Sequence, residues 1–232
     1  MPFEQPAPRI ALIHALAESV TPAQAAFRDH WPAAYPFDLL DSSLAVDLAE
    51  SGRLDDPMMV RFQTLADYAA GTVGKAGSTA GILFTCSAFG PAIDQVKQRL
   101  TIPVLRPNES AFDAALDKGG RIGLVVSFGP SAPALHRELL SMAADRGQTV
   151  QADIAVAEGA LAALKAGDTA AHDRIVLHAA KSLRAADIII LGQFSLARAQ
   201  SLLQSRLNVP VLSTPVAAVE ALRRRCLPFE KV

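Results

Sequence analysis

The sequence is poor in cysteine, with only Cys86 and Cys226 among 232 residues. Two thiols cannot build a disulfide framework, and no Cys/His spacing matches a zinc site, so a metal is not expected. They read instead as reduced thiols in a cytoplasmic protein. Aromatic residues make up only 6% of the chain, too few for base-stacking platforms. An excess of either charge is also missing: 22 Lys and Arg stand against 23 Asp and Glu, a formal net charge of -1. No bulk field then draws nucleic acid or an acidic membrane surface. No apolar run reaches the roughly 18 residues a membrane span needs. The first residues carry Glu4 with prolines, and the apolar run from Ile10 to Ala17 is interrupted by His14, a poor signal peptide. Neither G-x-G-x-x-G nor a P-loop spacing occurs, so nucleotide binding has no motif. These absences leave a small molecule as the expected ligand, with neither nucleic acid nor membrane as partner.

What is present is a core. Half of the residues are hydrophobic, enough for a compact globular chain of this length. Short apolar runs alternate with helical patterns along the whole sequence. Strands are expected at 9–14, 37–40, 81–84, 102–105, 121–126, 151–156, 187–192 and 209–212. Helices are expected between them, including one from Asp56, read as an N-cap with Pro57 behind it, to about Ala70, and one from about Leu196 to Leu207. Alternating strands and helices predict an α/β fold with parallel sheets covered on both faces.

The chain also repeats. When it is slid on itself so that Arg99 and Leu100 fall on Arg206 and Leu207, Pro103-Val104-Leu105 fall on Pro210-Val211-Leu212. Gly81 to Phe84 then meet the apolar run Ile188 to Leu191, and a slightly larger offset lays Arg9-Ile10 on Arg121-Ile122. Two similar α/β halves are therefore expected, residues 1–118 and 119–232, with the C-terminal helix able to pack back on the first. Ligands in open α/β sheets bind beyond the carboxyl ends of the strands, so a cleft between the halves is the expected site.

In that arrangement Cys86 follows the strand Gly81-Ile82-Leu83-Phe84 and precedes a helix. A thiol at a helix N-terminus meets unpaired amides and the helix dipole, which favour a thiolate. The repeat lays Gln193 on Cys86, and an amide cannot transfer a proton near neutral pH. Ser87, Ser127 and Ser195 stand at matching strand ends as hydroxyl donors, and Ser42 follows the second strand. Ser127 reads either as a ligand or as the cap of the next helix. His14 reads either as a cleft acid/base or as a hydrogen-bonded strand-end histidine.

Leu83-Phe84-Thr85-Cys86-Ser87, Ile122-Gly123-Leu124-Val125-Val126-Ser127 and Ile189-Ile190-Leu191-Gly192, set in two α/β halves, resemble the aspartate/glutamate/hydantoin racemase superfamily. The resemblance covers nearly the whole chain. It implies a racemase or isomerase without metal or organic cofactor, often dimeric, in which a thiol from each half flanks the α-carbon of a small carboxylate. It also implies relatives that decarboxylate arylmalonates or isomerise maleate. Cys86 matches the first thiol; the second is replaced by Gln193, followed by Phe194 and Ser195 where the family carries Thr-His. The expected chemistry is therefore one-sided, with Cys86 as the single acid/base and Ser87, Ser127, Gln193, Phe194, Ser195, His14 and Ser42 around the substrate. A small-acid binding or sensor protein on the same scaffold is the alternative.

Overall fold

The computed structural model describes residues 7–74 and 76–227. The chain opens with β1 (Arg9–His14), followed by a 3-10 turn, α1 (Val20–His30), β2 (Tyr35–Leu40), α2 (Ser43–Ser51) and α3 (Asp56–Gly71). A short β3 (Val73–Gly74) leads into β4 (Gly77–Phe84), a 3-10 turn (Ser87–Phe89), α4 (Gly90–Arg99) and β5 (Val104–Leu105). Then come α5 (Glu109–Lys118), β6 (Arg121–Val126), a 3-10 turn (Gly129–Ser131), α6 (Ala132–Asp145) and β7 (Gln151–Val156). The last elements are α7 (Ala160–Lys165), α8 (Thr169–Ser182), β8 (Ile188–Leu191), a 3-10 turn (Phe194–Ala199), α9 (Gln200–Arg206), β9 (Val211–Ser213) and α10 (Thr214–Cys226).

These elements form two parallel sheets of the same design. In one, the strand order is β2-β1-β4, with β5 parallel on the far side of β4 and β3 folded back antiparallel on its start. In the other the order is β7-β6-β8-β9. The repeat in the sequence is thus a repeat of strand order: β1 corresponds to β6, β2 to β7, β4 to β8 and β5 to β9. Strands in such sheets are covered on both faces, which explains why Ile10 to Ile13, Ile82 to Phe84 and Ile188 to Leu191 are apolar without alternation and all buried. In the first unit Phe62 packs against Phe84 and Phe89 at ring separations of 5.5 and 4.6 Å, tying α3 to the end of β4.

The structure departs from the sequence reading in several places, among them β3, which was not expected, and β4, which begins at Gly77 and not at 81. Residues 43–51 form α2, a helix the sequence pattern did not predict. The cap of α3 is Asp55, not Asp56: its carboxylate accepts the Met58 N–H at 3.0 Å from an extended backbone, while Asp56 is already helical. The helix expected at 196–207 begins as a 3-10 turn at Phe194 and becomes α9 only at Gln200. The boundary expected after Lys118 lies earlier, because the described residues divide into compact units of 7–106 with 218–227, and 107–217. The reason is hydrophobic: Ala111, Phe112, Ala115 and Leu116 of α5 share a core with Ile122, Leu124, Ile188 and Ile190 of the second sheet. The end of α10 lies on the first sheet.

That last contact depends on a glycine. A Cβ built at Gly81 of β4 would stand 2.9 Å from Cys226 Sγ and 3.2 Å from Leu222 Cδ2, both on α10. Cys226 is half-buried there and its thiol donates to the Ala80 carbonyl at 3.4 Å, a packing role for this sulfur. Gly81→Ala should therefore lower stability by about 1–3 kcal/mol through overpacking. The double variant with Cys226→Ala should recover part of that loss, because the sulfur that blocks the new methyl is gone. Urea denaturation midpoints of the four chains measure the coupling; strictly additive losses would show that the two residues do not meet.

Candidate active site

Open parallel sheets bind ligands where neighbouring strands send their connections in opposite directions, outside the strand carboxyl ends. In the first unit that place is between β1 and β4, since β1 connects outward to β2 on one side and β4 to β5 on the other. The residues leaving these strands are His14 on β1 and Thr85-Cys86-Ser87 after β4.

His14 is completely buried, and both ring nitrogens are taken by the protein. Nε2 lies 2.9 Å from Asp38 Oδ1 of β2, and Nδ1 lies 2.8 Å from Thr85 Oγ1 and 3.0 Å from Ser19 Oγ. A carboxylate can only accept, so the neutral ring carries its proton on Nε2, donates it to Asp38 and accepts the Thr85 hydroxyl at Nδ1. The Ser19 hydroxyl donates to the Leu16 carbonyl at 2.7 Å, and Gln24 Nε2 donates to the second Asp38 oxygen at 2.8 Å. Burial holds the imidazole below its ordinary value of 6.5, with Asp38 pulling in the opposite direction. His14 is thus the hydrogen-bonded strand-end histidine of the two readings. Its substrate-contact role is corrected: a ring with no exposed surface and both nitrogens engaged cannot also hold a ligand.

Thr85, fixed by that ring, leads directly into Cys86. Cys86 caps the 3-10 turn Ser87–Phe89 from an extended backbone, φ -116° and ψ 120°. The residue keeps partial solvent exposure, yet protein atoms crowd its sulfur, and that desolvation pushes the thiol up to about 11. A hydrogen bond from the Ala88 N–H works in the opposite sense and is the smaller effect. The expected thiolate is corrected to a thiol at neutral pH: one amide at the mouth of a short turn does not offset the loss of water around a sulfur anion. Ser87 is half-buried beside it.

The second unit carries the matching place between β6 and β8, but it is filled from within. Gln193 Oε1 accepts the Ser127 N–H at 2.6 Å and the Ser127 hydroxyl at 2.8 Å, and its Nε2 donates to Ser131 Oγ at 3.1 Å. Ser127 does not cap the following helix, whose first 3-10 turn starts beyond Phe128. Phe194 is 1% exposed and Ser195 8%, so the Phe194 ring is a core residue and not a wall of the site. Ser42 is exposed at the end of β2, the outer strand of the first sheet, and makes no side-chain cap for α2. The structure therefore joins His14 to the start of the Cys86 segment through Thr85, and Ser127 to Gln193, and it leaves Ser42 apart.

Residues 18–222 match the sequence model of the Asp/Glu/Hydantoin racemase family. The chain belongs to this family. No curated protein matches the sequence significantly. Among solved structures, the aspartate racemase of Picrophilus torridus aligns with a TM-score of 0.69 at 13% identity, covering 94% of this chain and 93% of that one. The allantoin racemase of Klebsiella pneumoniae aligns with a TM-score of 0.68 at 17% identity, covering 94% and 87%. A glycine-to-cysteine mutant of arylmalonate decarboxylase in a sulfate-associated form aligns with a TM-score of 0.62 at 17% identity, covering 94% and 93%. At these identities the likeness is one of fold.

Four residues of this racemase-family chain escaped sequence reading: Ser19, Asp38, Thr85 as a hydrogen-bonding partner, and Ser131. The signal for two of them was in the repeat. The offset that lays Arg9 on Arg121 also lays Leu16 on Phe128 and Ser19 on Ser131. Both serines are buried and donate to the carbonyl three residues earlier at 2.7 Å, Ser19 to Leu16 and Ser131 to Phe128. Among the described residues, no three His, Cys, Asp or Glu side chains cluster as a metal set, and no helix is long and apolar enough to cross a membrane.

The lowered His14 sets a pH dependence. The folded chain binds this proton less readily than the unfolded chain, so the stabilisation is complete above about 6.5 and is lost as pH falls toward the folded value. The urea midpoint of the native chain should drop between about pH 7.5 and 5.5. His14→Asn should start lower, by about 1–3 kcal/mol, and should show a smaller drop over the same window. Equal drops in the two chains would remove His14 as the cause.

Proposed function

We propose that this chain is a cofactor-independent enzyme that protonates the α-carbon of a small carboxylate from one face, with Cys86 as the acid. The observation that carries the reading is the thiol itself: at the carboxyl end of β4, pushed up to about 11, it is protonated at neutral pH. A protonated thiol is a poor base toward a carbon acid but a competent donor to a carbanion, so decarboxylation fits better than proton abstraction. The corresponding residue of the second unit, Gln193, can neither accept nor deliver that proton.

In the proposed reaction, a substituted malonate loses carbon dioxide by breaking the bond between its α-carbon and one carboxylate. The electron pair of that bond remains on the α-carbon and spreads into the other carboxylate as an enediolate. The Cys86 S–H then forms the new C–H bond, and the resulting thiolate recovers a proton from water. The charge gathering on the remaining carboxylate would be met by Ser87 and the first amides of the Ser87–Phe89 turn, with developing charge rewarded more than the ground state. His14 and Asp38 would act behind Thr85, holding the end of β4 in place without touching substrate. The two unpaired thiols suit a reducing cytoplasm.

Incubation in deuterium oxide with 2-substituted malonates, and separately with amino acids and hydantoins, tests the reading. Release of carbon dioxide with an α-deuterated product of one handedness is expected, and Cys86→Ala should lower kcat by about 10²-fold or more. Deuteration of both enantiomers of an amino acid would make the chain a two-sided racemase. Binding of acids without turnover would make it a sensor, and full activity in Cys86→Ala would remove the thiol from the chemistry.

A further inference from the structure

Both ends of the Gln193 amide are hydrogen-bonded within the second unit, the oxygen to Ser127 and the nitrogen to Ser131. Two donors of a single residue, the Ser127 N–H and the Ser127 hydroxyl, converge on one oxygen at 2.6 and 2.8 Å. Convergent donors on a single oxygen, at the carboxyl ends of parallel strands, are the arrangement with which a protein holds a carboxylate. The backbone is shaped for the approach. The Gly192 N–H bonds to the Val125 carbonyl at 2.8 Å, and a Cβ at Gly192 would stand 2.8 Å from Leu124 Cδ1 and 3.2 Å from that carbonyl. Only a bare residue there lets the end of β8 ride this close to β6, and the next residue is then delivered onto the Ser127 donors.

We infer that the end of β6 is a carboxylate subsite that the chain keeps filled with its own side chain, the Gln193 carboxamide oxygen standing where a ligand carboxylate oxygen would bind. Ser131 completes the fit to the amide. Its hydroxyl hydrogen points to the Phe128 carbonyl at 2.7 Å, which leaves a lone pair for Gln193 Nε2. Gln193 is in this sense a specificity-determining residue. It withdraws one pair of oxygen-binding donors from any ligand, so an acid bound by this chain must find its donors elsewhere. The competing account is a plain clamp between two strand ends, with no affinity for anions. The inference does not require Cys86 to act, so it stands or falls apart from the proposed reaction.

The test uses the full chain, labelled with nitrogen-15, and reads the Ser127 amide resonance during titration with sodium acetate, with sodium chloride at equal ionic strength as the blank and acetamide as the neutral probe. In the native chain the Ser127 resonance should not respond to acetate. In Gln193→Ser, which removes the amide and opens the space, it should shift saturably with acetate and less with acetamide, and Ser127→Ala added to that variant should weaken acetate binding several-fold. A native chain that responds as strongly as the variant would show that the donors are not filled. An unresponsive variant would leave only the clamp, and a response to acetamide without acetate would overturn the carboxylate assignment. Gln193→Glu keeps the side-chain length should Gln193→Ser fail to fold. The carboxyl group it introduces, followed through the Ser127 amide, should titrate below the ordinary glutamate value of about 4.3 because two donors favour its ionised form; titration at or above that value would overturn the inference.

Discussion

Both sheets obey one constraint: parallel strands whose connections leave in opposite directions part at their carboxyl ends. A ladder of main-chain hydrogen bonds holds β1 to β4 and β6 to β8 along their length and runs one residue past β4 and β8, with the Thr85 N–H on the Ile13 carbonyl at 3.0 Å and the Gly192 N–H on the Val125 carbonyl at 2.8 Å. What lies beyond is polar by necessity, since strand ends leave amides and carbonyls that need partners. The two units meet this need with different side chains. In the first, the His14 ring spans from Asp38 on β2 to Thr85 after β4. In the second, the Gln193 amide spans from its own strand end to Ser127 after β6. Each bridge is a side chain whose two polar ends are chemically distinct.

At Cys86 the balance is electrostatic. A helix or turn N-terminus favours an anion by about 0.3–1 kcal/mol at an exposed position, whereas removing water from an ion costs several kcal/mol unless a partner compensates. The turn after Cys86 brings one amide, that of Ala88, and no cationic partner is among the influences on the thiol. Desolvation wins, and the thiol keeps its proton at neutral pH. The same competition acts on His14, where burial and Asp38 pull in opposite directions and burial again prevails.

The parts legible in the sequence are those that local pattern encodes. The unbroken apolar runs named β1, β4, β6 and β8 without ambiguity, because strands covered on both faces need no polar alternation. The repeat named the correspondence of strands, and through it set Cys86 opposite Gln193 in the alignment. What could not be read were the bridges. His14 meets Thr85 across 71 residues and Ser127 meets Gln193 across 66, and nothing local to any of the four announces its partner. Asp38 looks like a solvent-facing residue of an edge strand until His14 is seen to take its oxygen. The boundary at Arg106 was hidden for a related reason: α5 has apolar residues that could serve either sheet, and only packing shows that Phe112 and Leu116 join Ile122 and Ile190.

Gln193 is the residue on which the two halves of the reading meet. The repeat aligns it with Cys86, and its amide transfers no proton near neutral pH. As a planar amide with an acceptor and a donor a fixed distance apart, it also reaches Ser127 and Ser131 together. A thiol at this position could not do so, being shorter and only a weak hydrogen-bonding group. The absence of a titratable group at this strand end and the engagement of the Ser127 donors are therefore properties of a single residue. One side chain after β8 has both, because the same carboxamide that cannot titrate offers an oxygen to two donors and a nitrogen to Ser131.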